Sequence, residues 1–198
     1  MNKVYTKKDL NIISWKKIDE LIDKIYLDVL NYIETNNLKI KYICSVMRGG
    51  GVPAIKLSHM FNVIDMLLMQ LKSNIETKKI DIKIGLEYVK DTNIKNDECI
   101  LLVDGNHCTG RTANFAVNLL REKFGENVKI IYVALTTDYT HRYSVKNLCY
   151  TTWGILTNSS KELSKEECEK LGINYDFAPV HPWENVEEEL FELNKYSA

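Results

Sequence analysis

At 198 residues, with 45% hydrophobic and 27% charged side chains, the chain is long enough for one domain with a substantial core and has an ordinary globular balance. Its formal net charge of -1 leaves no global basic footprint, which argues against a nucleic-acid partner. No apolar run reaches membrane-spanning length, no signal-peptide core is visible, and the five cysteines are odd in number without Cys-x-x-Cys spacing, so neither a membrane anchor nor a disulfide or zinc framework is expected and reducing cytoplasm is the default compartment.

The elements follow in order. Ser14 is a plausible N-cap for a long amphipathic helix whose apolar stripe is Trp15, Ile18, Ile22, Ile25, Val29 and Ile33. Residues 40–46 read as a strand with Ile40, Tyr42, Cys44 and Val46 on one face, and residues 47–51 as a glycine-rich turn. A short helix is predicted over 52–61, with Pro53 in its first turn, and a second strand over 63–71. Residues 72–98 change character. They are rich in Lys, Asn, Asp and Thr, hold one strand-like island at 80–89, and read as a mobile excursion or hairpin. Residues 99–103 form the third predicted strand. The next helix, opening at Thr112, buries Ala113, Phe115, Ala116, Leu119, Leu120 and Phe124 and ends at Gly125, and a fourth strand covers 128–135. Alternation of this kind implies a parallel α/β sheet with right-handed crossovers. From Thr136 the alternation lapses into a helical stretch at 164–171, a Pro-Trp-Glu segment and a terminal acidic helix. The organisation expected is a single domain over 1–198, with a core at about 14–135 and a C-terminal hood at about 136–198.

Three stretches carry chemistry. Residues 100–112 read Ile-Leu-Leu-Val-Asp-Gly-Asn-His-Cys-Thr-Gly-Arg-Thr: an apolar strand, an acid at its carboxyl end, then Thr-Gly-x-Thr before a helix. Backbone N–H groups of residues 108–112, with the Thr109 and Thr112 hydroxyls, suit a phosphate at a helix N-terminus. Asp104 stands at the usual ligand edge of a parallel sheet. No Gly-Lys-Ser/Thr is present, which disfavours a Walker-type loop. The second stretch is Met47-Arg48-Gly49-Gly50-Gly51, where glycines let amides approach an anion and Arg48 offers a bidentate fork. The third is the tail from Asp176 to Glu184, in which Phe177 offers a stacking face and Trp183 pins a proline-rich segment.

Together these resemble the type I phosphoribosyltransferases, and the tail is similar to the xanthine–guanine branch of their purine members. The resemblance implies a parallel sheet flanked by helices with a small C-terminal hood. It also implies transfer of phosphoribosyl from phosphoribosyl pyrophosphate to a purine-like base, with Mg²⁺ as cofactor. By that likeness Arg48, Gly49 and Gly50 hold the pyrophosphate, and Asp104 holds the ribose and, indirectly, Mg²⁺. The 5′-phosphate falls to Cys108, Thr109, Gly110, Arg111 and Thr112, and Phe177 and Trp183 shape the base pocket. A homodimer is common in such a family. The likeness breaks at two acidic positions, occupied here by Gly105 and Cys108, and at a base-reading lysine, whose place falls on Thr136 or Thr137. Cys108, near a helix N-terminus, is either activated as a partial substitute for the lost acid or inert. Asn106 and His107 are neighbours able to hydrogen-bond, and a loop histidine is more often solvated than catalytic. Two other readings stand beside transfer. In one, an N-glycosidase or base-exchange enzyme acts on a 2′-deoxypurine nucleotide such as dGMP, whose missing hydroxyl would match the missing acid at 105. In the other, a non-catalytic module senses a nucleotide.

Overall fold

The computed structural model describes residues 5–74, 77, 79–173, 175 and 178–196. After a 3-10 turn at Lys7–Asp9 come β1 (Leu10–Ile12), α1 (Trp15–Thr35), β2 (Lys39–Met47), α2 (Gly51–Met60), β3 (Met66–Ser73) and β4 (Ile80–Ile84). The chain continues through β5 (Glu98–His107), α3 (Arg111–Phe124), β6 (Ile130–Asp138), β7 (Tyr150–Thr157), α4 (Lys165–Leu171), β8 (Ala178–Val180) and α5 (Val186–Tyr196). Six strands form one sheet in the order β4-β3-β2-β5-β6-β7, parallel throughout except for β4 at the edge. A second, two-stranded sheet pairs β1 with β8 in parallel, so that residues from both ends of the chain make the hood. Among the described residues no helix is long and apolar enough to cross a membrane.

The main sheet is buried on both faces, as parallel sheets are. Tyr42, Cys44, Val46, Ile100, Leu102, Ile130 and Tyr132 pack on one side against Ala113, Ala116, Val117 and Leu120 of α3. Ile43, Leu101, Val103, Ile131 and Val133 pack on the other against α1 and against Ala54 and Leu57 of α2. The predicted stripe of α1 is the buried one, with Leu21 added, and Ser14 Oγ accepts from Lys17 N as expected of an N-cap. Trp15 differs, standing 54% exposed. Ile40 departs from its expected face. The register of β2 against β5 shifts between Ile40 and Tyr42, and this turns Ile40 to the α1 side while Tyr42 faces α3.

Three boundaries differ from the sequence reading. The third core strand runs on to His107, because Asn106 and His107 pair with Thr136 and Thr137 of β6, so half of the expected loop is strand. The island at 80–89 shortens to β4, which hairpins onto β3. Residues 150–157, assigned to the hood by sequence, are the sixth strand of the main sheet. β7 was missed because Tyr-Thr-Thr-Trp-Gly-Ile-Leu-Thr has neither strict alternation nor a continuous apolar run. It packs one face on α1 and leaves the other half-wet.

Candidate active site

The two loops meet at the carboxyl ends of neighbouring strands β2 and β5. Arg48, Gly49, Asp104, Asn106, His107, Cys108, Thr109, Gly110, Arg111, Thr112 and Trp183 all line one cavity of about 930 Å³. The peptide between Met47 and Arg48 is cis. Helix capping separates this site from the rest of the fold. α1 and α4 begin on Ser14 and Ser164, whose hydroxyls accept from Lys17 N and Glu167 N. α2 and α3 begin on Gly50 and Gly110 with no side-chain cap. At α3 the first-turn N–H groups have no partner inside the helix and suit an external anion, whereas in α2 Gly51 N already donates to Arg48 O and Pro53 has no N–H. Both of these helices start where the two loops end.

Lys72 and Lys83, from the β3–β4 hairpin, join Arg48 and Arg111 on the cavity wall. Glu184, Glu188 and Glu189 line the same cavity, and Arg48 lies 3.9 Å from Glu188. The excursion at 72–98 thus contributes cations to the site. Among the described residues, no three His, Cys, Asp or Glu side chains converge as a metal cage.

Asp104 is buried, and burial pushes its carboxyl up to about 6 despite the Gly105 N–H donating at 2.7 Å and a smaller pull from His181. Tyr132 also bonds to Asp104, and its own hydroxyl is driven far up by burial and by that carboxylate. Tyr132 has one proton and two claimants, because His107 Nδ1 lies 3.1 Å from its oxygen. His107 Nε2 is 2.9 Å from the His141 carbonyl, which can only accept, so Nε2 carries a proton. The neutral ring then leaves Nδ1 as an acceptor competing with Asp104 for the Tyr132 proton. Burial depresses the His107 pKa, in keeping with that neutral form. His107 is therefore a buried element of the floor, in contrast to the solvated loop residue expected.

Cys108 is not activated. Burial, then Asp138, pushes its thiol up, and Arg111 only partly opposes them. Gly105 points away from the cavity for a steric reason: a Cβ there would lie 2.7–2.8 Å from the backbone of Gly49. The two loops touch through these glycines, leaving no space for an acid. Gly50 also stands behind the cavity, its N–H donating to Val46 O at 2.9 Å. Thr136 is fully buried, 3.0 Å from Asn106 Oδ1 through its hydroxyl. It lines a different cavity, of about 550 Å³, together with Asn11, Lys17 and Pro179 beneath the hood. Phe177 lies outside the described residues.

One part of the site was not read from sequence. The segment after β6 clasps the Thr-Gly turn. Ser144 Oγ lies 3.2 Å from His107 Nε2 and 3.3 Å from the Thr109 carbonyl, and Asn114 Nδ2 donates to Gly110 O and Ser144 O. Asp138 holds the clasp, accepting from Thr140 N, His141 N, Ser160 N and Ser160 Oγ. The signal was present as Asp-Tyr-Thr-His, an aspartate two residues before a turn N–H.

No family model matches the sequence, and no curated protein matches it. Solved structures do. A purine phosphoribosyltransferase from Pyrococcus horikoshii matches with a TM-score of 0.59 at 19% identity, over 89% of this chain and 95% of that one. The xanthine-guanine-hypoxanthine phosphoribosyltransferase of Helicobacter pylori matches with 0.58 at 16% identity, over 92% and 98%. A hypothetical protein from Neisseria gonorrhoeae, solved with bound ppGpp, matches with 0.62 at 14% identity, over 94% and 96%. The chain has the type I phosphoribosyltransferase fold.

Proposed function

We propose that the chain is a phosphoribosyltransferase that joins a purine-like base to the phosphoribosyl group of phosphoribosyl pyrophosphate and releases pyrophosphate. The observation that carries this reading is that Arg48, Gly49, Asp104 and the uncapped start of α3 all line one cavity. In this assignment Arg48 and Gly49 bind the pyrophosphate, with Lys72 and Lys83 adding charge. Residues 108–112 bind the 5′-phosphate, and Asp104 accepts from a ribose hydroxyl. Trp183 borders the base end.

A base nitrogen attacks C1 as the bond from C1 to the pyrophosphate oxygen breaks. Positive charge develops on the sugar, and the ionised Asp104 stabilises it across the ring. Neither Cys108, with its raised thiol, nor the buried neutral His107 is a strong base, so the chain supplies binding and charge, and the base proton passes to water. Mg²⁺ fits the oxygen donors present. It is commonly held by one or two carboxylates plus substrate phosphates, and Asp104 shares the cavity with Glu184 and Glu188. When bound, it neutralises charge on the pyrophosphate.

The deoxynucleotide reading loses its motive, because Gly49 accounts for Gly105. A nucleotide sensor keeps one specific support, the inert Cys108. Pyrophosphate release from phosphoribosyl pyrophosphate, with guanine, hypoxanthine and xanthine in Mg²⁺, separates the two. Turnover with one of these bases, reduced at least roughly tenfold in Arg48→Ala for a lost charged contact, is the expected result. Binding without turnover assigns the sensor, and absence of both rejects the reading.

A further inference from the structure

Tyr132 stands in β6 on the α3 face of the sheet, opposite Leu102 of β5, while Asp104 pairs with Ala134. Tyr132 and Asp104 are therefore diagonal neighbours on adjacent strands, an offset that a tyrosine can span. The ring belongs to the core, and a phenylalanine would fill the same place without a hydroxyl that has to be satisfied. That hydroxyl meets two acceptors, Asp104 and, at 3.1 Å, His107 Nδ1, and it has one proton for both. Among the described residues Nδ1 has no other hydrogen-bond partner. Beyond the imidazole the contacts go on. His107 Nε2 lies 2.9 Å from the His141 carbonyl and 3.2 Å from Ser144 Oγ, which lies 3.3 Å from the Thr109 carbonyl. One hydrogen-bonded row thus runs from the carboxylate to the turn that opens α3.

We propose that Tyr132 and His107 are positioning residues that tie Asp104 to the Thr109–Gly110 turn, so that a hydroxyl donor arriving at Asp104 tightens the turn around its anion. This rests on the transferase reading above, in which one ligand touches both ends of the row. Without such a donor the ionised carboxylate is the stronger acceptor and draws the Tyr132 proton, which leaves His107 Nδ1 short of a partner. A ligand hydroxyl that donates to Asp104 eases that claim. The Tyr132 proton is then shared more evenly and the contact with Nδ1 strengthens. An imidazole that accepts more strongly at Nδ1 donates more strongly through its Nε2–H, here to the His141 carbonyl and Ser144 Oγ. Those groups belong to the segment that clasps Thr109 and Gly110 through Ser144 and Asn114. No proton leaves any residue, and only the sharing of one hydrogen bond changes.

The test measures ribose 5-phosphate binding by calorimetry at pH 8 for the unmutated protein, Tyr132→Phe, Asp104→Ala and the double variant. Tyr132→Phe is expected to weaken binding about tenfold, the size of one hydrogen bond to a charged group. In the Asp104→Ala background the same change is expected to alter affinity less than about twofold, because a residue that acts through another has nothing to act on once its target is gone. No loss in the first background, or equal losses in both, assigns Tyr132 to packing and overturns the proposal. A second readout needs no variant, and it decides should a variant fail to fold or bind too weakly to measure. The ¹⁵N resonance of His107 Nδ1 in the unmutated protein is expected to move when ribose 5-phosphate binds. It is expected to stay in place with inorganic phosphate, which fills the turn without a sugar hydroxyl for Asp104. A resonance unmoved by bound ribose 5-phosphate overturns the coupling and leaves the transferase reading standing. Failure to bind both ribose 5-phosphate and phosphoribosyl pyrophosphate overturns the two together.

Discussion

In the proposed reaction Asp104 has a task that needs charge, in a setting that resists it. A carboxyl in the unfolded chain titrates at about 3.9, whereas Asp104 in the folded protein titrates at about 6. Between those values the folded state holds a proton that the unfolded state has lost, so stability falls as pH rises across the window. The gap corresponds to roughly 3 kcal/mol. Urea unfolding of the unliganded protein at pH 4 and pH 7 should show that loss, and Asp104→Asn should remove it. An equal pH dependence in both proteins would contradict the assignment. Sugar binding runs the opposite way, since only the ionised carboxylate accepts from a hydroxyl without giving up its Gly105 and Tyr132 bonds. kcat/KM should therefore rise through about pH 6, and Asp104→Asn should lower it by roughly ten- to a hundredfold at pH 8. Gly105→Asp restores the motif acid on paper, yet its Cβ meets the Gly49 backbone at under 3 Å. Overpacking of this kind costs about 1–3 kcal/mol, so the melting temperature should drop and pyrophosphate affinity should weaken rather than improve.

The clasp made by the segment after β6 belongs to the scale of elements. Gly110 takes φ +76°, and Ser144 Oγ crowds the place where a Cβ would stand, so the turn is held from both sides. Asn114→Ala removes the bonds to Gly110 O and Ser144 O and the acceptor for Lys146 N. The expected cost is about 1–3 kcal/mol in unfolding experiments, with a raised KM for phosphoribosyl pyrophosphate and little change in kcat. A raised kcat cost with unchanged KM would assign the clasp to chemistry. Legibility in the sequence follows the same lines. The uncapped α2 and α3, Asp104 and Arg48 were readable because they depend on local pattern: glycines at helix starts and an acid after an apolar run. The clasp and the floor role of His107 were not, because each depends on which distant residue lies against it. Gly105 read as a lost acid, and only the approach of Gly49 explains it.

For the whole molecule, the main sheet and the hood are unequal. The hood strands β1 and β8 pair over three residues each, Leu10 with Ala178 through Ile12 with Val180. The main sheet has two buried faces and six strands. Hydrogen exchange should therefore show Ile13 N–H, which bonds to Val180 O, opening well before the amides of β5 and β6. Saturation with phosphoribosyl pyrophosphate should slow the hood more than the sheet. Equal protection in both, with and without ligand, would mean that the hood is no separate unit.

The pairing of residues 10–12 with residues 178–180 also fixes an order of events during synthesis. The ribosome delivers all six strands of the main sheet once Thr157 has emerged, while Leu10 still awaits a partner about twenty residues away. Until then Trp183 and Glu184, which line the same cavity as Asp104, have not been made. The site is therefore the last part of the molecule to dry, and a nascent chain stalled before Ala178 would carry a finished sheet with no competent pocket.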